Sequence, residues 1–231
     1  MVGAIKKRMF VLFAIFLCIV FCFGFLVSKS VTAQTVAPLN IKVVIDAGHG
    51  GADGGSVGVS GVTESTLNLA YAQKLTEYLE SVGIQVENTR LTDSALCADD
   101  DPDFKQSDMK KRAEIINSSN AQLLVSIHMN KFTSQESNGA QVFFKQDNAD
   151  SQQFATAIKD MLCVNFSNAR ELVLKGDYYI LNCTNITGVI VECGFLSNPT
   201  EEQLLVQQDY KNKMCYSIFC GILNYLGVVR Y

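Results

Sequence analysis

VVIDAGHGGADGG, residues 43–55, is an apolar, largely β-branched run that ends on an aspartate and passes at once into five glycines and a histidine, His49. A short apolar run bounded by glycine reads as a buried strand. The glycines after it permit a loop that folds back over the strand end, because glycine adopts backbone angles closed to other residues. The only other histidine, His128, closes a second run of this kind, LLVSIHMN, residues 123–130. A third, GVIVEC, residues 188–193, carries Glu192 at its end.

Outward from these runs the chain alternates between apolar β-branched segments and amphipathic ones, which predicts strands and helices in turn. The expected strands are KVVID, IQVENT, QLLVSIH, AQVFF, YYIL and GVIVEC. STLNLAYAQKLTEYLESVG has Leu67, Tyr71, Leu75 and Leu79 at helical spacing, with Gly83 as its C-terminal stop. SDMKKRAEIINSSN is expected to be a helix capped by Ser107 or Asp108, residues 149–167 form a third, and one or two more come after Pro199. The expected fold is a single α/β domain, a mostly parallel twisted sheet flanked by helices.

The N-terminal 33 residues differ in character. Lys6, Lys7 and Arg8 precede Met9 to Ser28, where only Gly24 and Ser28 are not hydrophobic. This is either an uncleaved membrane anchor or a signal peptide cut after Ala33, and both export the remainder of the chain. Residues 34–40 then form a linker and residues 41–228 the domain. The leader holds four of the 19 Lys and Arg residues and none of the 23 acids, which leaves the remainder near −8. A nucleic-acid footprint is not expected on so acidic a domain. Six cysteines fall in the domain with neither CxxC nor regular spacing, so no zinc knuckle or disulfide framework is indicated; they read as buried small hydrophobes, with one unassigned disulfide as the alternative.

In an open α/β sheet, ligands bind beyond the carboxyl ends of the strands. His49, His128 and Glu192 all fall there, and Glu64 opens the helix after the first strand. Two histidines and a carboxylate are the donor set of a catalytic zinc site that keeps a position for water or substrate. A phosphate cradle is disfavoured, since GHGGADGG lacks the GK[ST] of a P-loop and the spacing of GxGxxG. Asp46 and Asp53 could bind metal or serve their own backbone.

IDAGHGGADGG, ESTLNLAYAQKL, TRLTD, KKRAEIINSSNAQLLVSIHMN, NGAQVFF and VIVECGFLSNPTEEQLL together resemble the zinc-dependent N-acetylmuramoyl-L-alanine amidases of the type-3 amidase fold. The resemblance spans Ile41 to about Leu226. It implies one zinc per chain on His49, Glu64 and His128, with Glu192 as the catalytic acid and base. It also marks Asn68, Arg90 and Arg112, as substrate contacts or as helix packing and ion pairs, and makes Phe195 to Asn198 the turn that seats Glu192. The implied substrate is peptidoglycan, cut between the lactyl group of muramic acid and L-alanine of the stem peptide, on the outer face of the membrane, in the wall or in the spore-cortex space. The build is similar to that of small spore-cortex amidases, with the N-terminal apolar segment as its membrane contact and no accessory partner specified. Only 63 residues separate His128 from Glu192, too few for the extra helix that plugs some relatives, so an open groove is expected. A hydrolase of another amide, a peptide or an acetylated sugar, shares every ligand, and a non-catalytic wall-binding protein shares the fold. Cys193 as a nucleophile lacks a spare histidine to activate it.

Overall fold

The protein is represented by a computed structural model that describes residues 40–228, together with Met9 and Phe16. The expected anchor or signal segment over residues 1–33, those two residues apart, and all of the linker but Asn40 lie outside the described residues. Among the described residues no helix is long and apolar enough to cross a membrane.

The elements are β1 (Lys42–Ala47), α1 (Glu64–Ser81), β2 (Gln85–Asn88), α2 (Phe104–Ser118), β3 (Leu123–Asn130), β4 (Gln141–Lys145), α3 (Ala149–Asn165), β5 (Leu174–Gly176), α4 (Tyr179–Asn182), β6 (Thr187–Phe195), α5 (Pro199–Leu205) and α6 (Gln208–Tyr225). They build one six-stranded sheet in the order β2-β1-β3-β6-β4-β5. β2, β1, β3 and β6 run parallel, β4 runs antiparallel to β6, and β5 runs parallel to β4. This is the mostly parallel α/β domain expected from the alternation of patterns.

Side chains alternate across a strand, and the alternation sorts the core into two layers. Val43, Ile45, Val125, Ile127, Val189, Val191 and Cys193 belong to the larger cluster, with Tyr71 and Leu75 of α1, Phe154 and Ile158 of α3, and Ile218 and Ile222 of α6. Val44, Leu124 and Ile190 meet Ile116 of α2 and Ile180 and Leu181 of α4 in a smaller cluster on the other face. Asp46, Ser126, His128 and Glu192 occupy strand positions in phase with this second set. Apolar packing on that face therefore gives way to polar side chains toward the carboxyl ends of the strands.

Two local expectations change. YYIL is not a strand: Ile180 and Leu181 are adjacent yet both pack into the smaller cluster, where strand neighbours would point to opposite faces, and residues 179–182 form the single turn α4. The strand lies just upstream at Leu174–Gly176, paired with Phe143–Lys145. α2 starts at Phe104 rather than at Ser107 or Asp108, because the Asp108 carboxylate is engaged by the Leu96 amide and by Arg112 instead of capping the helix. The segment after Pro199 divides into α5 and α6 at Val206 and Gln207. The predicted stop of α1 is present: Gly83 is left-handed at φ 81°, and the Ile84 amide donates to Leu79.

Candidate functional site

The end of β1 is held open by two arginines. Arg112, 2% exposed, reaches from α2 and donates to the Asp46 carboxylate and the Ala47 carbonyl, both at 2.7 Å, and to the His49 carbonyl at 2.6 Å. Arg90, just past β2, donates to the carbonyls of Ala47, Gly48, Ser65 and Thr92 at 2.8–3.0 Å. Asp46 also accepts from the hydroxyls of Thr89 and Ser126. Burial opposes its ionisation, but the Arg112 guanidinium and the two hydroxyls prevail and hold its carboxyl at about 2.

This scaffold brings together three of the residues singled out in the sequence. His49, Glu64 and His128 each offer a donor atom, and these atoms lie within 4.8 Å of one another. His49 Nε2 is 3.2 Å and His128 Nδ1 2.9 Å from the same oxygen, Glu64 Oε1. The rings sit edge to face with centroids 5.2 Å apart. Glu64, the first residue of α1, enters the cluster because the glycine loop turns back over it, and the Ser56 amide donates to Glu64 Oε2 at 2.9 Å. Two glycines make room. A Cβ on Gly48 would lie 2.2 Å from His128 Cε1, and one on Gly55, at φ 66°, would lie 2.7 Å from Glu64 Oε2.

Burial raises the Glu64 carboxyl, but hydrogen bonds and charge from His128 and His49 hold it far below the usual carboxylate range. Burial lowers His49, yet the Glu64 and Asp53 carboxylates raise it to about 9. Two imidazoles and an ionised carboxylate converging on one point fit a borderline divalent ion such as zinc.

Glu192 stands apart from this trio. It pairs with His128 in the parallel register of β6 and β3 and with Gln141 across the antiparallel side. Its Oε2 is buried without a hydrogen-bond partner. Burial raises its carboxyl to about 7, with Glu64 adding to the rise and the two histidines opposing it. A β-bulge comes immediately after, so that Asn130 pairs with Phe195. The turn from Phe195 to Asn198 is tied down by the Leu196 amide on the Asn130 carbonyl and by the Phe195 amide on Glu201 Oε2, at 2.8 and 2.7 Å. Cys193 points into the opposite core layer, fully buried, and burial pushes its thiol well up. Cys97, Cys163, Cys183, Cys193 and Cys215 are not in disulfides.

For Asn68, Arg90 and Arg112 the sequence offers two expectations, substrate contact or helix packing and ion pairs. All three are buried, and their donors are engaged by the protein itself. Asn68 Nδ2 donates to the Gly48 carbonyl at 3.0 Å and lies 3.4 Å from Glu64 Oε1. These side chains hold the loop that carries His49.

Two further carboxylates were not singled out in the sequence. Glu202 accepts from the amide and hydroxyl of Ser60, while Glu201 accepts from the amides of Gly139 and Phe195, so the first turn of α5 anchors loops on both sides of the site. The motif NPTEE carries the signal, an Asn cap and a Pro at the helix start and then two acids. Beside the cluster a cleft of about 240 Å³ is lined by His49, Asp53, Lys105, Met109, Tyr178 and Tyr179, among others. The turn α4 forms one of its walls, and between His128 and Glu192 the chain contains only β4, α3, β5 and α4.

Residues 43–224 match the N-acetylmuramoyl-L-alanine amidase family. The germination-specific N-acetylmuramoyl-L-alanine amidase of Bacillus subtilis is 37% identical over 194 residues, which cover 81% of this chain and 81% of that protein. The CwlD amidase of Clostridioides difficile, solved in complex with the GerS lipoprotein, superposes with a TM-score of 0.78 at 37% identity, over 82% of this chain and 100% of that one. The catalytic domain of CwlV from Bacillus (Paenibacillus) polymyxa gives a TM-score of 0.73 at 31% identity, over 82% and 99%.

Proposed function

Since the chain belongs to the N-acetylmuramoyl-L-alanine amidase family, we propose that it hydrolyses the amide between the lactyl group of N-acetylmuramic acid and L-alanine of the peptidoglycan stem, in the remodelling of spore cortex, with one zinc on His49, Glu64 and His128 and with Glu192 as acid and base. The observation that carries this reading is the convergence of the three donors beside a buried carboxylate that is not one of them. Zinc held there would supply Lewis acidity, acidifying the attacking water near neutral pH and polarising the scissile carbonyl.

Glu64 neutralises part of the ion's charge, and His49 and His128 add neutral donors. Glu192 accepts the proton of the attacking water on its carboxylate and returns it to the amide nitrogen as the C–N bond breaks. A buried carboxyl raised to about 7 suits both halves of that transfer near neutral pH. Asn68, Arg90 and Arg112 act by fixing the His49 loop. Cys193 takes no part, because its thiol lies on the other face of β6.

Action outside the membrane, at the wall or cortex, is dictated by the substrate, and the N-terminal apolar segment provides the attachment or export signal. An accessory lipoprotein partner is in keeping with the CwlD complex. Purified protein incubated with peptidoglycan and analysed by mass spectrometry releases stem peptides that begin with L-alanine. New sugar reducing ends, or cuts within the peptide, would refute the assignment.

A further inference from the structure

Resting on the zinc site proposed above, we infer that Asp53 is the positioning residue for His49: its carboxylate holds the Nδ1 proton and so presents Nε2, and only Nε2, to the metal. The observation is a built hairpin. His49 is one of three described residues other than glycine with positive φ, at 61°. That backbone places its ring over the glycine loop, where Asp53, four residues later, returns antiparallel. The Gly50 amide donates to the Asp53 carbonyl at 2.8 Å, and the Asp53 amide to the Gly50 carbonyl at 3.2 Å. The two carboxylate oxygens divide the work. Oδ1 accepts from the Gly55 amide at 3.1 Å, and Oδ2 lies 2.8 Å from His49 Nδ1. With its other oxygen on a backbone amide, the carboxylate is oriented from both sides.

A carboxylate facing one ring nitrogen selects the tautomer that is protonated there, which leaves the opposite nitrogen as the lone-pair donor. That opposite nitrogen, Nε2, is the one 3.2 Å from Glu64 Oε1. His128 is held differently. Its Nδ1 faces Glu64 at 2.9 Å, while its ring packs flush on Gly48, where even a Cβ would collide. Among the described residues, no carboxylate other than Glu64 is bonded to it. The two imidazoles therefore meet the metal through different nitrogens, one set by Asp53 and the other by packing.

The full chain, purified with zinc and labelled with 15N-histidine, reports the tautomers directly by NMR. The expected spectrum has one histidine protonated on Nδ1 with Nε2 on the metal, assigned to His49 by its absence from His49→Ala, and the other bonded through Nδ1. His49 bound through Nδ1 would overturn the inference without any variant of Asp53. In parallel, chelator competition on Asp53→Asn is expected to show zinc affinity about 10- to 100-fold lower, with the metal-free variant still folded and unfolding cooperatively. Affinity equal to wild type overturns the inference alone, whereas wild-type protein that takes up no zinc removes the zinc site and this inference with it.

Discussion

Arg112 donates through Nη1 to Asp46 Oδ1 at 2.7 Å and through Nη2 to the His49 carbonyl at 2.6 Å, so one buried guanidinium joins the end of β1 to the loop that leaves it. Its Nε is taken by Asp108 at 2.6 Å. The planar fork of Arg matches this set of acceptors and a lysine ammonium does not. Removing it would leave two acids, one of them fully buried, without their cation and the His49 carbonyl without this donor. Arg112→Met is expected to lower stability by about 3–5 kcal/mol, as for a broken buried ion pair, and to loosen zinc with it. Denaturant unfolding measures the first and chelator competition the second. A variant within about 0.5 kcal/mol of wild type would contradict the role given to Arg112.

Asp46 makes the same network sensitive to acid. Its folded carboxyl is held at about 2, below the unfolded value of roughly 3.9. The stability it contributes is thus complete above about pH 4 and disappears as the pH falls toward 2. Asp46→Asn should flatten this part of the stability curve. A wild-type curve with no loss between pH 4 and 2 beyond that of the variant contradicts the ion pair.

Glu192→Gln keeps shape and removes the proton acceptor. Turnover should fall by about 10²- to 10⁴-fold, with zinc content and melting temperature unchanged. Wild-type kcat/KM should show an acid limb at or below about pH 7, since burial raises the carboxyl to about 7 and a bound cation favours its ionised form. Activity within a factor of about three of wild type would remove Glu192 from the mechanism.

Metal binding should release protons. In the metal-free protein His49 is raised to about 9, so its contribution to stability is complete below the ordinary histidine value and is lost as the pH rises through 9. A metal ion competes with that proton, and zinc affinity should therefore climb with pH up to about 9. Calorimetry in buffers of different ionisation enthalpy counts the protons. Binding at pH 7 with no proton release is incompatible with a protonated His49.

The thiols should be dispensable. Chelation ought to abolish activity and added zinc restore it, while Cys193→Ser stays active, because Cys193 is fully buried on the opposite face from Glu192. A folded, zinc-loaded Cys193→Ser protein without activity would mean that the bulge after Glu192 contributes more than its backbone.

Much of this protein could be read from local pattern. The apolar runs behind His49, His128 and Glu192 specify strands because continuous β-branched segments of that length suit a sheet covered on both faces, and the shared position of the three residues at strand ends places them on one edge. Period and chain order were sufficient for that. They were not sufficient for YYIL, where β-forming side chains were recruited into the turn α4 because two adjacent residues pack into the same apolar cluster. Nor could they assign Arg90, Arg112 and Asn68, since most of the acceptors these donors meet are backbone carbonyls, up to 65 residues away, and a carbonyl leaves no mark in the sequence. The work of Glu201, Glu202 and Asp53 was hidden for a related reason. An acid after a proline or in a glycine loop looks solvated until tertiary packing brings an amide, a hydroxyl or an imidazole against it. The sequence determined which residues can do the chemistry, and the tertiary structure decided which nitrogens and oxygens they present to it.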